Sequence, residues 1–402
     1  MEFWTSNKNM SGSDGHISQK TKIPFLERGY PLAVASPSMQ WLLFFAVLAL
    51  LWQSSLMLPP AEAQARPRKQ QSPHTASPAV HILERALLAP QHLTFTGQQT
   101  VMTFTEGDGA AVVTQEQHLG SQYHRIQYQN PPDARGRIAT ANGKWQLLYL
   151  PALKTLVKTP LAPQFVTPTE AMTQIKHILH SYKLHLMPNT EQMQGRPAYQ
   201  LHILPRLKDR GSQYLWIDKE TGLVIRRESY SPSGSQTAIT HWRNLNFAAH
   251  LTPKSLQWSP PPHTKVEQNF PKEIFDFQKA HASIQKWTEL PSYLGKGFYF
   301  QSARPVSSKG VAGLECQYSD GLSTLSLIQF HGSRVLTPPT APEQEPKAVS
   351  VGKIPAQLAK RGSLLVLTWE EKKRPLTLSL IAELTQETML NLALALSPSS
   401  PR

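Results

Sequence analysis

Two periodicities alternate along this chain from about residue 80. Val80, Leu83, Leu87 and Leu88 recur at helical spacing, which predicts a short amphipathic helix ending near Pro90. Runs of apolar and β-branched residues follow and predict strands at Leu93 to Phe104, Ala111 to His118, Tyr123 to Tyr128, Arg137 to Ala141 and Lys144 to Leu150. Asn142 and Gly143 are the tightest hairpin signal of this meander. Thr167, Pro168 and Glu170 then read as a helix start, with an N-cap, a first-position proline and an acid that closes a capping box. Ala171, Ile175, Ile178, Leu179 and Tyr182 line one face, so this helix runs to about Lys183 and packs on the sheet. Further strands are predicted at Lys183 to Met187, Ala198 to Pro205, Tyr214 to Asp218, Leu223 to Ser229 and Thr237 to Ala249.

The pattern breaks at residues 251–271, where Pro260, Pro261 and Pro262 favour an extended linker. Beyond it a short helix is expected over residues 271–284, then strands at Tyr299 to Arg304, Val311 to Tyr318, Leu322 to Phe330 and Leu364 to Trp369. Residues 337–346, rich in Pro and Glu, are expected to form a mobile loop, and Thr385 to Leu396 a closing amphipathic helix. Asp320 and Gly321 pin two of these strands together, since Asp-Gly suits the positive φ angles of a type I′ turn. The expected fold class is α+β: a strongly curved antiparallel sheet, a half-barrel packed on helices, over residues 80–250, followed by a smaller antiparallel α+β domain over residues 272–397.

The strand at Trp145 to Leu150 and the one at Tyr214 to Ile217 are largely apolar on both faces. One face is covered by helices; the other lines an apolar cavity or belongs to a filled sandwich core, and pattern alone does not separate the two. On the cavity reading, Trp145, Tyr149, Trp216 and Trp242 are the candidates to line it.

Composition places this fold outside the cytoplasm. The uncharged run Trp41 to Trp52 is shorter than the about 20 apolar residues a spanning helix needs, and small residues follow it up to Ala65. Residues 1–65 therefore read as an N-terminal extension and signal peptide cleaved after Ala65, with Met39 an alternative start and an uncleaved inner-membrane anchor the competing reading. Residues 66–79 cannot bury an apolar face and form a flexible lead-in. The single cysteine, Cys316, allows no intramolecular disulfide and reads as a small buried strand residue. The formal net charge is +14, and the leader contributes none of it: Lys8, Lys20, Lys22 and Arg28 balance Glu2, Asp14, Glu27 and Glu62. An exported basic chain meets anionic lipid or acidic protein segments, and scattered solvated charge is the plainer account; nucleic acid is not expected as a partner.

Catalytic chemistry is thin. There is no nucleophile elbow and no phosphate-binding glycine loop, and Cys316 has no histidine signature beside it. His177 and His180 lack the spacing and acid of a zinc motif, so they read as a solvated helix face. The expectation is a binding protein, not an enzyme, with no cofactor and no metal.

Three passages carry a resemblance. Tyr318 to Ser323 is similar to the carboxy-terminal domain of the MucB/RseB family. Tyr214 to Arg226, an aromatic strand, a polar turn ending at Gly222 and a return strand, resembles the strand-turn-strand of the LolA/LolB superfamily and of the MucB/RseB amino-terminal domain. The opening from Leu87 to Gly97 resembles the start of that domain. The resemblance implies a LolA-like first domain and a periplasmic regulator. Such a protein would bind the periplasmic segment of a membrane anti-sigma factor, shield it from proteolysis, and release it when lipid or lipoprotein acyl chains fill the first domain. That is negative regulation of the envelope stress response through the sigma-E factor. It makes Tyr318, Asp320, Gly321 and Leu322 candidate partner-binding residues and leaves a homo-oligomer open. The alternative is a LolA-like lipoprotein or lipid carrier, which would need the first domain alone.

Overall fold

A computed structural model describes residues 77–105, 108–161, 166–268, 277–279, 291–308, 311–332, 345–371 and 376–396. The signal run, the cleavage region, most of the helix expected over 271–284 and residues 337–344 of the loop expected at 337–346 lie outside the described residues.

The first region is one open antiparallel sheet under two helices. Helix α1, Pro78–Leu88, starts on a first-turn proline and buries Ala79, Val80, Ile82, Leu83 and Ala86. Helix α2, Pro168–Ser181, has the expected capping box: Glu170 N donates to Thr167 Oγ1 at 3.2 Å and Thr167 N to Glu170 Oε2 at 2.7 Å. It stops two residues short of Lys183 because Tyr182 already takes up an extended backbone. Strands β1 (Thr94–Thr105), β2 (Asp108–Leu119), β3 (Tyr123–Asn130), β4 (Ile138–Asn142), β5 (Trp145–Leu150) and β6 (Thr155–Pro160) form a meander on one side of β1. Strands β7 (Tyr182–Met193), β8 (Arg196–Pro205), β9 (Ser212–Asp218), β10 (Val224–Tyr230) and β11 (Gln236–Asn246) return to pair β11 with β1. Both helices bury their apolar stripes with Leu201, Ile203, Leu215 and Ile217 of β8 and β9.

The stretch expected to be plain linker does more than connect. Residues Lys265–Gln268 form β12, which adds to β6 in parallel register, with Lys265 opposite Thr155, and makes the sheet twelve-stranded. Upstream of it, Trp258 meets Tyr149 at 5.1 Å between ring centroids, the rings tilted by 44°.

The second region is an eight-stranded antiparallel sheet in the order β13-β14-β15-β16-β20-β19-β18-β17. Its strands are β13 (Tyr293–Gly295), β14 (Phe298–Ser308), β15 (Val311–Ser319), β16 (Thr324–His331), β17 (Lys347–Val351), β18 (Ile354–Arg361), β19 (Leu364–Glu371) and β20 (Leu376–Ala382). Helix α3, Gln386–Leu396, covers one face with Met389, Leu392 and Ala393 in a core shared with Cys316, Trp369 and Leu380. Cys316 is buried, as its strand position suggests, and burial pushes its thiol well up.

The Asp320-Gly321 turn departs from the type I′ reading. Ser319 pairs with Thr324, so the loop holds four residues, and Gly321 alone of the Asp-Gly pair takes a positive φ, 96°. Asp320 keeps ordinary backbone because its carboxylate closes the turn itself, accepting from Leu322 N at 3.1 Å and Ser323 N at 2.7 Å.

Candidate functional site

The hairpin loop does not project into solvent; it is plugged into the first region. Asp320 Oδ2 accepts from Arg210 Nε at 2.8 Å and from the Tyr182 hydroxyl at 3.0 Å, and the Asp320 and Arg210 side chains are both 0% exposed. Arg210 also donates to Lys296 O at 2.6 Å and lies over the Phe298 ring at 4.4 Å, so residues of the second region cover the guanidinium. A buried charge is tolerable only when paired and hydrogen-bonded, and here it is both. Its third nitrogen approaches Asp209 Oδ1 at 3.1 Å without hydrogen-bond geometry, while Asp209 Oδ2 accepts from Thr388 Oγ1 of α3 at 2.6 Å.

Gly321 makes the close approach possible. A Cβ there would stand 2.6 Å from Ile178 Cγ1, and Gln174 of α2 donates to its carbonyl at 3.2 Å. Leu322 packs against the core under α1 and α2. Tyr318 is fully buried and donates to Pro291 O at 3.1 Å. Two further titratable groups have shifted pKa values. The His177 ring stacks on Tyr299 at 4.0 Å and 7°, and burial, then His180, lowers its pKa against a small pull from Asp320. Glu383 is pushed up to about 7 by burial, with hydrogen bonds from Thr237 of β11 and Ser363 acting in the opposite direction. Asp320, Gly321 and Leu322 are therefore brought together against the chain's own first region, while Tyr318 stays in the core of the second.

The aromatic candidates are not brought together. Residues opposite each other across a ladder share a face. Leu215 and Ile217 lie under the helices, so Trp216 points the other way. It donates to Glu191 Oε2 at 2.5 Å, with Arg226 over its ring at 5.3 Å. Ladder partners from Leu215 through Arg227 to Thr240 place Trp242 on the helix side, where Phe95 meets it edge-on at 5.3 Å. Trp242 and Thr114 both pair with Gln99, whereas Tyr149 leads through Ile138 and Gln127 to Gln115, the opposite parity. Trp145 and Tyr149 thus share the outward face with Trp216, and Trp242 alone looks toward the helices.

Sequence reasoning missed the polar groups on that helix side. Thr114, Glu116 and His118 of β2 and His124 of β3 are buried there. Glu116 accepts from Thr114 Oγ1 at 2.6 Å and meets His118 Nε2 at 2.7 Å. Burial, reinforced by His118, pushes His124 down to about 3; its Nε2 has no hydrogen-bond partner. The signal was the unbroken polar run Thr114 to His118, too polar on both faces for a strand with only one wet side. Arg210 and Tyr182 were missed as well, and nothing local marks them.

Comparison with known proteins fits this architecture. Residues 81–257 match the model of the MucB/RseB N-terminal domain. The fold is similar to a chain in the complex of Pseudomonas aeruginosa MucA and MucB, with 17% identity, a TM-score of 0.52, and 80% of this chain and 99% of that one covered. A chain in a crystal structure of MucB in complex with MucA(peri) gives 18% identity, a TM-score of 0.51 and coverage of 80% and 100%. No curated protein matches the chain.

Proposed function

The chain belongs to the MucB/RseB family, and from that premise we propose that it is an exported regulator that binds the periplasmic segment of a membrane anti-sigma factor. On this reading it shields the segment from proteolysis and lets it go when a lipid or lipoprotein acyl chain occupies the first domain, which makes it a negative regulator of the envelope stress response. The observation that carries the reading is the second domain and its attachment: similarity to chains solved with MucA extends over 80% of this chain, past the first sheet. A carrier of the LolA kind needs no second sheet clamped on through a fully buried ion pair. Among the described residues no helix is long and apolar enough to cross a membrane.

The geometry divides the roles. Asp320, Gly321 and Leu322 hold the two domains in the arrangement the partner reads, rather than touching it themselves, and Tyr318 fixes the hairpin from within the second sheet. Of the four aromatic candidates, Trp242 faces the helices beside Phe95 and is the one retained for an acyl chain. Purification of the chain from its native envelope, with mass spectrometry of co-eluting protein and lipid, tests the proposal. The expected result is a membrane protein with a periplasmic segment. Co-elution of lipoproteins alone supports the carrier instead, and a chain that elutes with neither overturns both.

A further inference from the structure

The outward face of the first sheet carries a charge pattern that partner and acyl binding leave unused. Arg125, Leu147 and Lys158 fall on this face in one cross-strand row, and Tyr149, Leu156 and Val266 in the next, where Tyr149 and Leu156 are buried and Val266 is exposed. Trp145 shares it, with Lys158 Nζ at 4.1 Å and Lys144 Nζ at 5.8 Å from its ring centroid. Among the described side chains of β2–β6 and β12 there are two carboxylates, Glu116 and Glu267, and both have the other parity; Glu267 is also paired with Lys265 at 2.7 Å. The β2–β6 and β12 half of the face is therefore cationic and aromatic, with no acid among its described side chains.

Its edge is also greasy. Leu153 and Val266, 53% and 54% exposed, sit one hydrogen-bonded step apart, since Lys265 N donates to Lys154 O at 2.9 Å between them. Side chains that protrude, instead of forming a groove, suit a soft surface better than a folded partner. Lysines beside exposed aliphatics can keep their charge at headgroup level while their stems follow the apolar groups inward. Tryptophan favours the same boundary between apolar and wet surroundings.

We infer that the β5–β6–β12 edge docks on the surface of an anionic phospholipid bilayer, Leu153 and Val266 entering it and Lys144, Trp145, Lys154 and Lys158 meeting the headgroups. The inference rests on export, but on neither the anti-sigma partner nor the acyl ligand. The test is sedimentation of the exported chain with phosphatidylcholine vesicles, with and without phosphatidylglycerol. Binding is expected only to the anionic vesicles, and it should fall steeply with salt. Lys158→Glu and Lys154→Glu are each expected to lower partitioning about fivefold or more, from the typical contribution of one basic residue near such a surface. Leu153→Asp combined with Val266→Asp should abolish it. Lys353→Glu, the same charge change on an exposed turn of the other sheet, should leave it nearly unchanged. Equal binding to both vesicle types, equal losses in all charge variants, or full binding by the Leu153/Val266 variant would overturn the inference. Co-purification of partner or lipid is a separate readout, so either proposal can fail alone.

Discussion

Asp320 joins two tasks that the sequence displays as one. Its Oδ1 closes the hairpin loop and its Oδ2 receives Arg210 and Tyr182 from the first region. Removing it as Asp320→Ala strands a buried guanidinium, so a loss of about 3–5 kcal/mol in urea unfolding is expected. Gly321 pairs a φ of 96° with a Cβ position 2.6 Å from Ile178 Cγ1, so Gly321→Ala strains the backbone and pushes the loop off α2. A cost of about 1–3 kcal/mol in the same assay is expected, and a variant as stable as the parent would refute the close-packed docking. The dipeptide was legible as a turn, because turn chemistry is local. The docking was not, since Arg210 stands 110 positions away and no nearby residue announces it.

At the scale of elements, what could be read depended on where the stabilising partners lie. The start of α2 was legible to the residue because Thr167 and Glu170 satisfy each other within one turn. Thr167→Ala should cost about 1 kcal/mol, measurable as a lowered urea midpoint with an unchanged slope. β12 left no such trace. All four of its residues are exposed, so there is no alternation to find, and its pairing partner Thr155 is distant in sequence. β6 escaped for a related reason: it ends at Pro160 and reads as a short mixed run until β5 and β12 flank it. The aromatic candidates show the limit of pattern on a sheet. Composition marked Trp145, Tyr149, Trp216 and Trp242 as bulky strand residues, but the face each one takes follows from register, which pairs residues far apart in the chain.

The described residues form two sheets that meet at a polar seam, and we propose domains at residues 80–250 and 272–397 joined through 251–271, a stretch that also lends β12 to the first sheet. Limited proteolysis is expected to cut first near Pro260 to Pro262, where residues 259 and 261–263 are exposed. First cuts inside 90–245 would refute that division. The seam should also respond to pH through Glu383, which reaches Thr237 of the first sheet. Its carboxyl is raised from 4.5 to about 7, so the folded protein holds a proton that the unfolded chain has released between those values. The stabilisation is therefore complete below pH 4.5 and is lost as pH rises through about 7, a change of at most about 3 kcal/mol. His177 acts with the opposite sign: its lowered pKa favours the folded state above its ordinary value of 6.5 and withdraws that support as pH falls. Glu383→Gln isolates the first effect, since the amide keeps the shape and cannot ionise. Melts of the variant and the parent should diverge at pH 8, with the variant the more stable, and converge near pH 4.5. A difference that stays constant across that range would mean that Glu383 is not held in its neutral form where the two sheets meet.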